Sequence, residues 1–123
     1  MKEVRINNLS QSLAAPLVAD FCERFFCKLA GLSWRSSLAS DRALIIVGDS
    51  ESRVGSSIHM LGMFFDLGIV WLNKELQVVD LRPAFRWRSF LLPGKAAQYV
   101  IELRIERLGE FAIGDKIEFE TLS

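Results

Sequence analysis

Apolar and polar positions alternate most cleanly late in the chain, where Tyr99, Ile101, Leu103 and Ile105 are interleaved with Gln98, Glu102, Arg104 and Glu106. Period two places successive side chains on opposite faces, so the pattern predicts a strand with one face in a core and its polar set in water. After a turn at 113–116, Ile117 and Phe119 point inward and Glu118 and Glu120 outward in a last strand. Between 63 and 72 the set Met63, Phe65, Leu67, Ile69 and Trp71 is wholly apolar, while Phe64, Asp66, Gly68, Val70 and Leu72 are mixed. That stretch is expected to be the central strand of a β core, entered through a loop carrying His59. A turn at 73–75 leads to its partner strand, 76–81. Residues 43–47 form a short β-branched run bounded by turn residues, which predicts a strand buried on both faces.

Nearer the start, 4–8 and 13–19 read as a hairpin around the polar break at Gln11 and Ser12. Pro16 lacks a backbone donor, which predicts an edge position for this hairpin. Asp20 with Glu23 resembles a capping box, and Cys22, Phe25, Phe26 and Leu29 recur at helical spacing up to Gly31, which is placed as a left-handed cap. Residues 32–41 and 49–57 are polar loops. Residues 82–95 hold Pro83, Pro93 and Gly94 and predict a long loop. The expected fold is therefore mainly β (α+β): a small β-barrel or sandwich of six to eight strands with one packed helix near the N-terminus, in a single domain, 1–123.

Composition narrows the function classes more than it names one. At 123 residues one core is the economical solution,. Fifteen basic and fifteen acidic residues cancel, so no global field draws the chain to nucleic acid, and near-zero net charge favours self-association, with a homodimer as one outcome. A membrane-spanning helix needs about 20 mostly apolar residues. Only 58–72 approaches that, with Asp66 near its middle at a cost of about 2.5–3.5 kcal/mol, so the chain reads as not transmembrane. The amino terminus shows no apolar run after a basic start, which makes the cytoplasm the expected location. Cys22 and Cys27, five apart on a helix, would point about 140° away from each other, so reduced thiols rather than a bridge are expected.

The ordered set of Ala19-Asp20, a helix, Gly31-Leu32-Ser33-Trp34-Arg35, Ser57-Ile58-His59 with Gly62-Met63, Trp71-Leu72-Asn73, Leu81-Arg82-Pro83, Val100-Ile101-Glu102-Leu103 and Ile113-Gly114-Asp115 resembles the bacterial and archaeal domain of unknown function 192 family across nearly the whole chain. The resemblance implies a compact, mainly β fold with a helix near its start and no established activity. Members more typically carry a threonine after the histidine, and a basic residue, a proline and an aspartate in the following strand. Here those positions look like Met60, Phe64, Asp66 and Gly68, which replaces part of the usual polar surface with apolar side chains.

Three candidate groups remain. His59 is the only histidine, but no His/Cys/Asp spacing of a zinc site accompanies it. Asp66 stands in an apolar strand and would need a partner or a raised pKa if buried. Arg82, Arg86 and Arg88, interleaved with Phe85, Trp87 and Phe90, form the one basic and aromatic patch, a pattern suited to gripping an anion or a partner. No phosphate loop, dinucleotide fingerprint or nucleophile elbow occurs, so neither a cofactor nor a catalytic residue is assigned. The expectation is a non-catalytic binding or interaction domain using Arg82, Arg86, Trp87 and Arg88 with His59 and Asp66, its partner a protein or small anionic ligand. The alternatives are a small hydrolase or transferase pairing His59 with Asp66 at one barrel mouth, and a structural homodimer subunit that buries Phe64.

Overall fold

The computed structural model describes residues 2–23, 27, 31–32 and 35–122. Its strands are β1 (Glu3–Asn8), β2 (Val18–Cys22), β3 (Arg42–Ser52), β4 (Ile58–His59), β5 (Leu67–Leu72), β6 (Val78–Ala84), β7 (Phe90–Leu91), β8 (Ala97–Arg104) and β9 (Ile117–Thr121), with a 3-10 turn over Ile105–Glu110. Seven strands form one sheet in the order β6-β5-β8-β3-β2-β1-β9, and β4 pairs with β7 as a separate two-residue ladder. The sheet curls until its two edges approach each other. The Ile117 N–H donates to the Leu76 carbonyl and the Gly114 N–H to the Val78 carbonyl, both at 2.8 Å. The mainly β expectation holds, as a curled half-barrel sheet.

One core fills the inside of the curl. Val4, Ile6, Ile45, Val70, Ile101 and Ile117 pack there, drawn from strands at both ends of the sheet. A second core lies on the other face, where Leu44, Leu67, Ile69, Trp71 and Val100 meet Leu32, Leu38, Met60 and Met63 from the connecting segments. Two covered faces explain why all six residues of β5 are buried. They also explain why, of the 43–47 run predicted to be buried on both sides, Ala43, Leu44 and Ile45 are buried, while Ile46 and Val47 are half-buried.

Gly68 marks the tightest fit inside the curl. A Cβ there would stand 2.9 Å from Leu103 Cδ1 and 3.1 Å from Leu108 Cβ. Gly68→Ala is therefore expected to cost about 1–3 kcal/mol by overpacking, measured by urea denaturation; an unchanged midpoint would show that Leu103 and Leu108 move aside freely.

Several sequence expectations shift. The first hairpin pairs Glu3 with Asp20, so its second strand begins after Pro16, and the missing donor costs the ladder nothing. Nor is it at an edge, because β9 lies beyond β1. Asp20 is not a helix cap: it sits in β2 paired in parallel with Leu44, and its carboxylate accepts from Arg42 at 3.1 Å. The helical positions Phe25, Phe26 and Leu29 lie outside the described residues, while Gly31 has the left-handed φ of 54° expected of it. On one continuous helix Cys22 and Cys27 would point apart as reduced thiols. Cys22 instead ends a strand, and the two cysteines form a disulfide with their Cα atoms 5.6 Å apart, a separation typical of such bridges. Regular pairing in β5 starts only at Leu67, because the connecting segment before it is spent on the second core. Within the sheet β3, not β5, is the middle strand. Arg82, expected in a loop, lies in β6, an edge strand that tolerates Pro83,.

Candidate ligand cavity

Glu102 is the residue that period two misplaces. It belongs to the polar set of β8, yet it is only 5% exposed. Its neighbours across the ladders are Leu44 of β3 and Ile69 of β5, both in the second core. The face that should be wet is roofed by Leu32, Leu38 and the 54–66 segment. Glu102 lines a cavity of about 430 Å³ under that roof. Desolvation raises its pKa from an ordinary value near 4.5 to about 7, although the positive charge of Arg35 pulls the other way,. Its Oε1 lies 3.5 Å from where a Cβ on Gly31 would stand, so the absent side chain at Gly31 leaves room for the carboxylate.

The cavity lining combines two chemistries. Asp49, Ser50, Ser52, Ser56 and Gln98 supply polar groups, and Leu32, Met60, Met63 and Leu67 supply an apolar wall. His59 stands at its rim, exposed, in the ladder with Phe90. Trp71 supports the roof from below: wholly buried, it donates its indole N–H to the Ser56 carbonyl at 2.7 Å. The short β4 strand is held by the second segment that passes over it, because the Met60 N–H donates to the Ser89 carbonyl and the Trp87 N–H to the Met60 carbonyl, both at 3.0 Å.

The other sequence candidates fall elsewhere. Asp66 lines a separate depression with Phe85, Arg86, Trp87 and Arg88, and its carboxylate accepts from the Arg86 backbone N–H at 2.9 Å. Its half-buried position is thus satisfied as a loop anchor, and it does not line the cavity that His59 lines. Arg82 is drawn away from the patch. It lies over the Trp71 ring at 5.0 Å, pairs with Asp80 at 3.3 Å and donates to the Leu92 carbonyl, which ties β6 to the segment after β7. Arg86, Trp87, Arg88 and Phe90 are exposed, with Trp87 at φ 64° and edge-on to Phe64. Among the described residues no group of three His, Cys, Asp or Glu side chains could hold a metal ion.

Burial of Glu102 was not legible from alternation alone. The signal that could have found it is the apolar content of both flanking strands at its register, since β3 and β5 are hydrophobic on both faces. A polar residue laid between two such strands faces either a core or a cavity.

A curled seven-stranded sheet with a carboxylate buried beneath a roofed side cavity defines a small, mainly β half-barrel domain. The chain belongs to the domain of unknown function 192 family, described as "Uncharacterized ACR, COG1430", whose model matches residues 6–119. It is 44% identical over 62 residues to the UPF0127 protein TK1120 of Thermococcus kodakarensis, covering 50% of this chain and 39% of that one. The UPF0127 protein PYRAB11210 of Pyrococcus abyssi is 30% identical over 118 residues, covering 94% of this chain and 97% of its own length. The chain spans less than two thirds of the length of several of its Thermococcus relatives. Two crystal structures share the fold. One is a protein of Sinorhizobium meliloti provisionally called a transcription regulator, with TM-score 0.80 and 18% identity over 96% of this chain and 92% of that one. The other is a protein of unknown function from Novosphingobium aromaticivorans, with TM-score 0.76 and 19% identity over 94% and 83%. Among the described residues no helix is long and apolar enough to cross a membrane.

Proposed function

We propose that the chain is a non-catalytic binding domain whose small-molecule ligand sits in the roofed cavity, with Glu102 at its floor and His59 at its rim. The observation that carries this reading is a carboxylate 95% withdrawn from water that lines a cavity large enough for a small ligand,. A fold has no structural need for such a group, and leaving it there costs stability. The reading does not require a reaction, since His59 and Asp66 do not share the cavity. It is also independent of compartment. Reduced thiols had favoured a cytoplasmic setting, and the Cys22–Cys27 bridge removes that support,.

The test is a ligand-observed NMR fragment screen run on the wild type and on Ile46→Trp. Ile46 lines the cavity and is half-buried, so the indole fills the space without entering the core proper. Hits that compete with one another on the wild type and vanish with Ile46→Trp, its melting temperature preserved, are expected. The same hits on both proteins would end the reading.

A second surface is favoured by the exposure of Trp87 and Phe90, at 48% and 72%. With Arg86 and Arg88 beside them and Asp66 anchoring the loop, these residues suit a protein partner or a small anionic ligand, and Phe64 extends the patch toward a homodimer contact. Arg82 would contribute by holding the loop rather than by touching the partner. Nucleic acid is the least favoured occupant, because the chain has no net charge,.

A further inference from the structure

The cavity's charges narrow its ligand, and this step rests on the cavity being the binding site. Among the described residues three ionisable side chains line it: Glu102 on β8 at the floor, Asp49 on β3, and His59 on β4 at the rim. No described lysine or arginine lines it. Arg35 acts on Glu102 through space, but it is exposed and outside the lining. Among the described residues no hydrogen bond reaches the Glu102 carboxylate, and its ladder neighbours Leu44 and Ile69 have nothing to donate from their side chains.

A buried carboxylate is stabilised by a ligand that brings both a positive charge and N–H groups, because charge-assisted hydrogen bonds are about twice as strong as neutral ones. A carboxylate or phosphate ligand would meet Glu102 and Asp49, with His59 at the rim as the one basic group among the described lining residues. A sugar could use the serines and Gln98 but would leave Glu102 uncompensated. The rest of the lining includes apolar side chains, and its two methionines adapt to irregular shapes,. We propose that the cavity takes a small organic amine in its cationic form, the ammonium on Glu102 and the hydrocarbon body against Met60 and Met63.

Such a ligand is held by the ionised form of Glu102, so binding releases a proton wherever Glu102 is protonated in the free protein. Affinity then rises about tenfold per pH unit up to pH 7 and levels off above it,. His59→Asn removes the titratable group at the rim, and the slope stays if Glu102 sets it. Asp49 keeps its place in every variant.

Titration calorimetry with phenethylamine, 2-phenylethanol and phenylacetate, three probes of one shape and three charges, tests the proposal on the wild type, Glu102→Gln and Ile46→Trp. The amine is expected to bind at least tenfold tighter than the alcohol at pH 8 and to lose that margin with Glu102→Gln. The carboxylate is expected not to bind. Equal binding of alcohol and amine, or an amine affinity indifferent to Glu102→Gln, overturns the proposal. If all three probes fail while the fragment screen finds ligands that Ile46→Trp excludes, the amine assignment falls and the cavity reading survives. If the screen also finds none, both fall.

Discussion

Arg107→Ala is expected to lower the free energy of unfolding by about 3–5 kcal/mol, the usual cost of leaving the partners of a buried charge unpaired. Arg107 sits in the 3-10 turn Ile105–Glu110 with a side chain only 7% exposed. Its guanidinium makes five hydrogen bonds. Two go to Glu110, at 2.8 and 2.9 Å; the others go to the carbonyls of Ala15, Pro16 and Ser40, at 2.7, 3.3 and 2.9 Å. It therefore clamps the turn after β8 to the segment before β2 and to the loop before β3, three places with no ladder of their own. The hydrogen bond from Arg107 holds the Glu110 carboxyl below its ordinary pKa, so the clamp weakens as acid protonates Glu110. Arg107→Met separates packing from polarity: it refills much of the volume and restores none of the five bonds. Urea denaturation of both variants measures the effect, and a methionine variant as stable as the wild type would show that the bonds contribute little. Natural domains of this size hold about 5–15 kcal/mol in all, so the alanine variant stands close to unfolding.

Glu102→Gln is expected to act in the opposite sense. Raising a carboxyl from near 4.5 to about 7 on folding means that the folded state binds the proton more tightly than the unfolded chain. The stability associated with the neutral acid is complete below pH 4.5, declines as the pH rises, and is gone above about 7. One pKa unit is about 1.4 kcal/mol, so the wild type loses about 3 kcal/mol between those limits. Glutamine cannot ionise. The variant should be more stable than the wild type at pH 8 by up to about 3 kcal/mol, less whatever the amide leaves unsatisfied, and the difference should shrink toward zero near pH 4. Thermal melts from pH 4 to 8 give the comparison. Parallel curves for the two proteins would place the Glu102 carboxylate in contact with water.

These two residues also mark the limits of reading this chain from its pattern. Alternation correctly picks out the strand containing Tyr99 and Ile101 and the last strand with Ile117 inward, because each has one apolar set facing the inside of the curl. It fails at Glu102 because the second face is covered by chain from far away in sequence, and alternation carries no information about what lies over a face. Arg107 looks like an ordinary surface arginine, since Glu110 three residues on reads as a common i,i+3 ion pair and its other partners are backbone carbonyls, which leave no trace in residue type. Asp20 and Glu23 carry a helix-start pattern, yet pairing with β1 and β3 claims Asp20 for the sheet, a case of tertiary contacts overriding local preference. Of the candidate residues, His59 stands out in the sequence only because it is the one histidine, with no signal of the cavity it lines, and Arg86, Trp87 and Arg88 stand out because loops with clustered aromatics are uncommon. The cavity that His59 and Glu102 line exists only once β3, β5 and β8 are side by side.

The pairing of β1 with β9 carries one more consequence. Asn7 on β1 donates to Glu118 on β9, 111 residues further along, and the Leu122 N–H reaches back to the Glu3 carbonyl. Pairing at such separation pays loop-closure entropy before contacts reward it, so folding is slow, in the range of milliseconds to seconds typical of non-local β topologies. During synthesis β1 must wait, one edge unsatisfied, until residues 117–121 have left the ribosome. An unpaired strand end of this kind is a template for a neighbouring chain, so the interval before β9 arrives is when the nascent protein is most exposed to aggregation.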